Sequence, residues 1–81
     1  MSDMTRSDPV PTPRIVADRA VRFGKPVVRG TRVAVDEIVG LLASGASKDE
    51  VAVEFGVALE DIHAALEYAA RSVANERRYA E

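Results

Sequence analysis

Few side chains in this chain can do chemistry. His63 is the only histidine, and there is no cysteine. A single imidazole cannot assemble a His-based zinc site, and without a thiol there is no disulfide, thiolate metal site or cysteine nucleophile. Ser44, Ser47 and Ser72 have no evident His–acid partner in the sequence. The adjacent carboxylates Asp49 and Glu50 fall where the first turn of a helix uses them. No catalytic constellation emerges, so the chain reads as a non-enzyme without metal or cofactor.

What remains is charge. The segment Arg22-Phe23-Gly24-Lys25-Pro26-Val27-Val28-Arg29-Gly30-Thr31-Arg32 holds four cations, broken by two glycines. One interpretation is a ribbon that contacts phosphates through Arg22, Lys25, Arg29 and Arg32. It is not a Walker loop, because the G-x-x-x-x-G-K-[ST] spacing is missing. The other interpretation is a turn-rich hairpin. There Gly30 takes positive φ, Thr31 bonds the local backbone, and Arg29 or Arg32 pairs with an acidic residue of the helices.

The elements that must hold these residues follow from the pattern. At 81 residues, 47% hydrophobic and 30% charged, the chain is one small globular domain. Residues 1–35 carry seven basic and three acidic residues, and residues 36–81 carry four basic and ten acidic ones. A basic front and an acidic back hide behind the net charge of −2. No run of roughly 18 apolar residues predicts a membrane span, and the first residues lack a secretory h-region. A cytoplasmic location and no membrane partner are therefore expected.

Residues 1–13 hold Pro9, Pro11 and Pro13 and little that could enter a core. They read as a disordered arm. Residues 14–34 form a β segment. Ile15-Val16 and Val27-Val28 are short β-branched runs bounded by Asp18, Gly24-Lys25-Pro26 and Gly30-Thr31, as in a hairpin or strand pair. Two such strands are not stable alone and should pack on helices or on another chain.

Helices occupy residues 35–79. Val35, Ile38, Val39 and Leu42 mark one apolar stripe, which Gly45 ends. Ser47 and Glu50 form the S-x-x-E capping box of a short helix, Lys48 to Phe55, that turns Val51, Ala52 and Phe55 inward and stops at Gly56. A long last helix starts near Leu59 and carries the stripe Ile62, Ala65, Leu66, Ala69, Val73. Its far half should outrun the core, and Val53 and Tyr68 should be exposed. Ala52, Gly56 and Ile62 have the spacing of a helix-turn-helix. The outward positions of its second helix are Ala58, Glu60, Asp61, His63, Ala64 and Glu67. Three are carboxylates, which repel phosphate, so any duplex DNA contact falls to Arg22, Lys25, Arg29 and Arg32.

The stretches Gly24 to Arg32 (GKPVVRGTR), Ala43 to Ser47 (ASGAS) and Ala65 to Ala70 (ALEYAA) resemble domain-of-unknown-function family four-thirty-three, regarded as VapB-type antitoxins. The likeness covers about residues 14–70. It implies a homeodomain-like helix-turn-helix fold behind a short β segment, usually dimeric. It also implies a partner encoded nearby, a PIN-like ribonuclease toxin, which the antitoxin binds and neutralises while repressing its own promoter. Ala58 departs from the Ser or Thr of the family. Residues after Ala70 lie outside the shared motifs, so a toxin-blocking role there must come from chemistry. PIN-like ribonucleases hold divalent metal with carboxylates, and a guanidinium among them pairs bidentately and competes with the metal. The cations outside the hairpin that suit this are Arg71, Arg77 and Arg78, with Tyr79 as an aromatic anchor. The same arginines could instead only complement the helix dipole.

The expectation is thus a mainly α homodimer: a strand pair followed by three helices, acting as an antitoxin-like regulator. A stand-alone helix-turn-helix DNA-binding regulator and an oligomerisation or adaptor module without nucleic acid are the alternatives.

Overall fold

A computed structural model describes residues 13–80. Residues 1–12, which fall in the expected disordered arm, and Glu81 lie outside the described residues. Strand β1 (Ile15–Ala17) pairs antiparallel with β2 (Pro26–Val28), in the register Ile15↔Val28, Val16↔Val27, Ala17↔Pro26. Helices α1 (Val35–Ala43), α2 (Lys48–Phe55) and α3 (Leu59–Ala80) follow. The architecture is mainly helical with a two-stranded sheet in front, as the periodicities predict.

The strand pair is not a tight hairpin. Residues 18–25 connect it and contain one left-handed turn at Arg22–Gly24, with φ of 51, 60 and 88°. After β2 the chain doubles back. Gly30 takes φ +81°, and the Thr31 hydroxyl donates to the Val28 carbonyl at 2.8 Å while accepting from the Val33 N–H at 3.0 Å. Both features match the hairpin interpretation of this segment. Val27 then bridges to Ala34, which places Val27, Val28 and Ala34 in the interior. The sheet meets its stability requirement by packing on the helices: β1 lies on α3, and β2 lies on α1.

Each helix starts by a readable device. The α2 box is complete: Ser47 Oγ accepts from the Glu50 N–H at 3.0 Å, and Glu50 Oε1 accepts from the Ser47 N–H at 2.8 Å. Gly56 closes α2 in the left-handed region at φ 67°, which costs an L side chain about 1–2 kcal/mol but glycine very little. The other two helices use half a box, because alanine stands at their N-caps. Glu37 accepts from the Ala34 N–H at 3.0 Å, and Asp61 accepts from the Ala58 N–H at 3.0 Å.

The core is formed by Val28, Val35, Ile38, Val51, Ile62 and Ala65. Two expectations about α3 need correction. Tyr68 is not exposed; it is half-buried and packs on the core, because β1 covers a second flank of the helix. Val73 belongs to the inward stripe by spacing but is 61% exposed: the core cluster ends at Ala69, and Val73 only lines an open groove beside Val35 and Val39 of α1. Val53 is exposed, as expected.

Candidate functional site

Two surfaces carry the chemistry anticipated from the sequence. The first is the basic segment after β1. Its four cations divide into two kinds. Arg22 donates from Nη1 to the Arg32 carbonyl at 2.8 Å, and its two terminal nitrogens reach the two Glu37 oxygens at 3.3 Å each. Lys25 Nζ lies 2.9 Å from Asp36 Oδ2. These two cations tie the connection between the strands to the first turn of α1. The other two point elsewhere. Arg29 is exposed and donates from Nε to the Pro13 carbonyl at 3.0 Å, and Arg32 is exposed at the mouth of the turn. The expectation that Arg29 or Arg32 pairs with helix carboxylates is therefore corrected: Arg22 and Lys25 do so. The reason is position. The left-handed turn carries residues 22–25 over the α1 N-terminus, whereas the tight turn at Gly30 faces residues 29 and 32 outward.

Glu37 is the hinge of this arrangement. It accepts from the Ala34 N–H and from the Arg22 guanidinium, and these bonds hold its carboxyl below the usual carboxylate range. A third tie involves Arg14. Arg14 Nη1 donates to Asp61 Oδ1 at 2.9 Å, joining the start of β1 to the start of α3. Asp61 therefore serves in an N-terminal cap and in an ion pair, so it does not present a free charge on the outward face. Glu60 and Glu67 remain exposed there, and His63 Nε2 lies 3.6 Å from Glu67 Oε2.

The second surface is the far half of α3. The helix has 22 residues, about 33 Å at 1.5 Å per residue. Its last side chain on the core cluster is Ala69. Beyond it Arg71, Val73 and Glu76 are exposed. Arg77, Arg78 and Tyr79 belong to the last turns of α3, and their side chains lie outside the described residues. The two surfaces adjoin at Val73, which with Lys25, Pro26, Val35 and Val39 lines an open groove between β2, α1 and α3.

Among the described residues no three His, Asp or Glu side chains are grouped so as to hold a metal, and no helix is long and apolar enough to cross a membrane. Sequence reasoning missed Phe23, which stands fully exposed in the left-handed turn. The signal available was an aromatic between Arg22 and Gly24 in a segment with no strand or helix period.

Comparison with known proteins agrees with the architecture. Residues 15–69 match a family model described as "Protein of unknown function (DUF433)". A crystal structure of a DUF433 member from Anabaena variabilis ATCC 29413 is similar, with 27% identity and a TM-score of 0.71, over 85% of this chain and 70% of that one. The crystal structure of Rv2018 from Mycobacterium tuberculosis is similar over 64% of this chain, with 35% identity and a TM-score of 0.60. The matched region makes up 24% of the Rv2018 chain, so most of that protein has no counterpart here. No curated protein matches the chain.

Proposed function

The chain belongs to the DUF433 family of proteins of unknown function, and from that premise we propose that it is a non-enzymatic, antitoxin-like regulator. It binds and neutralises a PIN-like ribonuclease toxin as a homodimer, and with the toxin it represses its own promoter. The observation that carries this reading is that the core cluster ends at Ala69 while α3 continues to Ala80. Short helices are marginal in water without tertiary packing, so a helix that continues past its core has a use for a partner surface. Val73 offers that partner an exposed apolar residue, and Arg71 sits two residues before it.

The chemistry of the contact is guanidinium against carboxylate. A metal-dependent ribonuclease presents clustered carboxylates, and an arginine fork pairs with them bidentately and displaces metal. Arg71, Arg77 and Arg78 supply the forks, and Tyr79 supplies an aromatic anchor. The promoter contact falls on Arg29 and Arg32, since Arg22 and Lys25 are tied to α1.

The test is co-expression with the product of the neighbouring gene, which on this reading is a PIN-like ribonuclease. Co-purification and restored growth are expected for the full chain. Truncation after Val73 should abolish neutralisation while leaving the fold intact by circular dichroism. Full neutralisation by the truncated chain, which keeps Arg71, would overturn the roles given to Arg77, Arg78 and Tyr79. Failure of the full chain to bind or protect would overturn the antitoxin reading. Salt-dependent binding to its own promoter without any toxin would then favour a stand-alone regulator, and no binding to either an adaptor module.

A further inference from the structure

Phe23 is 101% exposed, more than Val53, Val73 or Leu59. It stands in the middle of three consecutive left-handed residues, Arg22, Phe23 and Gly24. Bulky L-residues rarely enter that region, and the fold must hold them there. It does so. The Gly24 N–H donates to the Val21 carbonyl at 3.1 Å, and the Lys25 N–H donates to the Arg22 carbonyl at 3.2 Å. Glu37 grips the Arg22 guanidinium from α1. A fully exposed ring gives the fold no packing in return, so the strained turn points to a contact outside the chain.

The surroundings of the ring say what kind of contact. The centre of a protein–protein contact is an apolar patch. Phe23 has none around it. Val53, Leu59 and Val73 are on the helices, and the groove between β2, α1 and α3 is lined by other residues. Its surroundings are cationic instead. A Cβ on Gly24 would come within 4.0 Å of the Arg19 Cα, so Arg19 stands beside the turn. The Arg32 carbonyl accepts from Arg22 Nη1 at 2.8 Å, which brings the backbone of Arg32 to the turn as well. Glu37 and Asp36 pair with Arg22 and Lys25. Arg19 and Arg32 are exposed and form no ion pair among the described residues, and neither does Arg29 just past β2. One carboxylate shares the turn: Asp18, whose Oδ1 accepts from the Ala20 N–H at 2.9 Å. Three unpaired cations therefore outweigh it.

We propose that Phe23 is a wedge that enters between base pairs of duplex DNA from the minor groove, with Arg19 and Arg32 on the flanking phosphates. This rests on the promoter contact of the reading above, and adds to it the ring, Arg19 and the groove entered. Apolar side chains that part a base step do so from the minor groove, and the cost of unstacking is offset by stacking on the ring and by cations on the backbone. A turn already fixed by hydrogen bonds suits this, because little ordering remains to be done at insertion. The start of α3 suits it less, since Glu60 and Glu67 are exposed there and repel phosphate.

A duplex carrying the chain's own promoter, with a dye at each end, tests it. Anisotropy reads affinity, and energy transfer between the ends reads bending. The natural chain should bind and kink the duplex, by about 20–90°. Phe23→Asn, a polar residue that tolerates the left-handed turn, should weaken binding about tenfold or more and abolish the kink. It should leave the salt dependence unchanged, because no charge is lost. Phe23→Gly is the second variant, with the same outcome expected, should Phe23→Asn not fold by circular dichroism. Phe23→Leu keeps an apolar wedge and should keep the kink. Arg19→Ala should lower the salt slope by about one unit. Salt-dependent binding without a kink, or a kink that survives both Phe23→Asn and Phe23→Gly, overturns the wedge and leaves the promoter contact standing. No binding by the natural chain, alone or with co-purified toxin, overturns both. If the Phe23 variants keep DNA binding and bending but lose a co-expressed toxin, the ring belongs to a protein contact and the wedge is refuted.

Discussion

Ile62 and Val73 lie eleven residues apart on α3, so at about 100° per residue their side chains point within about 20° of one another. Their burial is opposite: Ile62 is fully buried and Val73 is 61% exposed. Ile62→Ala removes apolar atoms from the centre of the core and leaves a cavity, at a cost of about 2–5 kcal/mol. A domain of this size has about 4–12 kcal/mol in total. The melting temperature should therefore fall on the order of 10–40 °C, at about 4–8 °C per kcal/mol. Val73→Ala should stay within about 0.5 kcal/mol of the natural sequence, as exposed substitutions do. Urea unfolding at submicromolar protein, where association is suppressed, reads both through the midpoint at constant slope. Ile62→Val, at about 0.5–1.5 kcal/mol, is the fallback if Ile62→Ala does not fold. A cost for Val73→Ala above about 1.5 kcal/mol in the dilute chain would refute the claim that Val73 contributes little to folding within its own chain.

Other outcomes follow from the helix ends. Ser47→Ala should destabilise the chain by about 1 kcal/mol, within a range of about 0.5–2, since it orphans the Glu50 N–H; denaturant titration checks this. Ala58→Ser should stabilise by a comparable amount by adding the missing half of the α3 cap, visible as a higher melting temperature. Glu37 is depressed in the folded state, so its stabilising effect is complete above the pKa of the unfolded residue and is lost as pH falls through the lower folded value. Acid titration of the folding free energy should show that loss, and Glu37→Gln should remove its share of the pH dependence.

The helical part was legible because its signals are local. Ser47 and Glu50 lie three residues apart and bond each other, and Gly56 stops α2 by its own backbone freedom. The Gly30–Thr31 turn was legible for the same reason. What lay beyond reach depends on residues distant in the chain. The partner of Arg22 is Glu37, and that of Arg14 is Asp61, forty-seven positions away. Tyr68 is covered because β1 lies on its flank, and no stripe on α3 alone reveals a neighbour from the other end of the chain. Val73 fails in the opposite sense, since the stripe continues where the packing stops. Of the candidate site, the identity of the cations was legible but not their division into those tied to α1 and those facing outward. Nor did the sequence disclose the left-handed turn that exposes Phe23.

The Glu37 carboxylate has a consequence for how the molecule opens. One side chain holds both the Ala34 N–H and the Arg22 guanidinium, and Arg22 in turn holds the Arg32 carbonyl. Releasing that carboxylate frees the first turn of α1, the left-handed turn and the return loop together. These three segments are joined in one cooperative unit rather than fraying separately. In native-state hydrogen exchange the amides of Ala34, Gly24 and Lys25 should share one opening free energy, distinct from that of the α2–α3 pair. A ligand gripping any one of the three segments would then stiffen the other two without touching them.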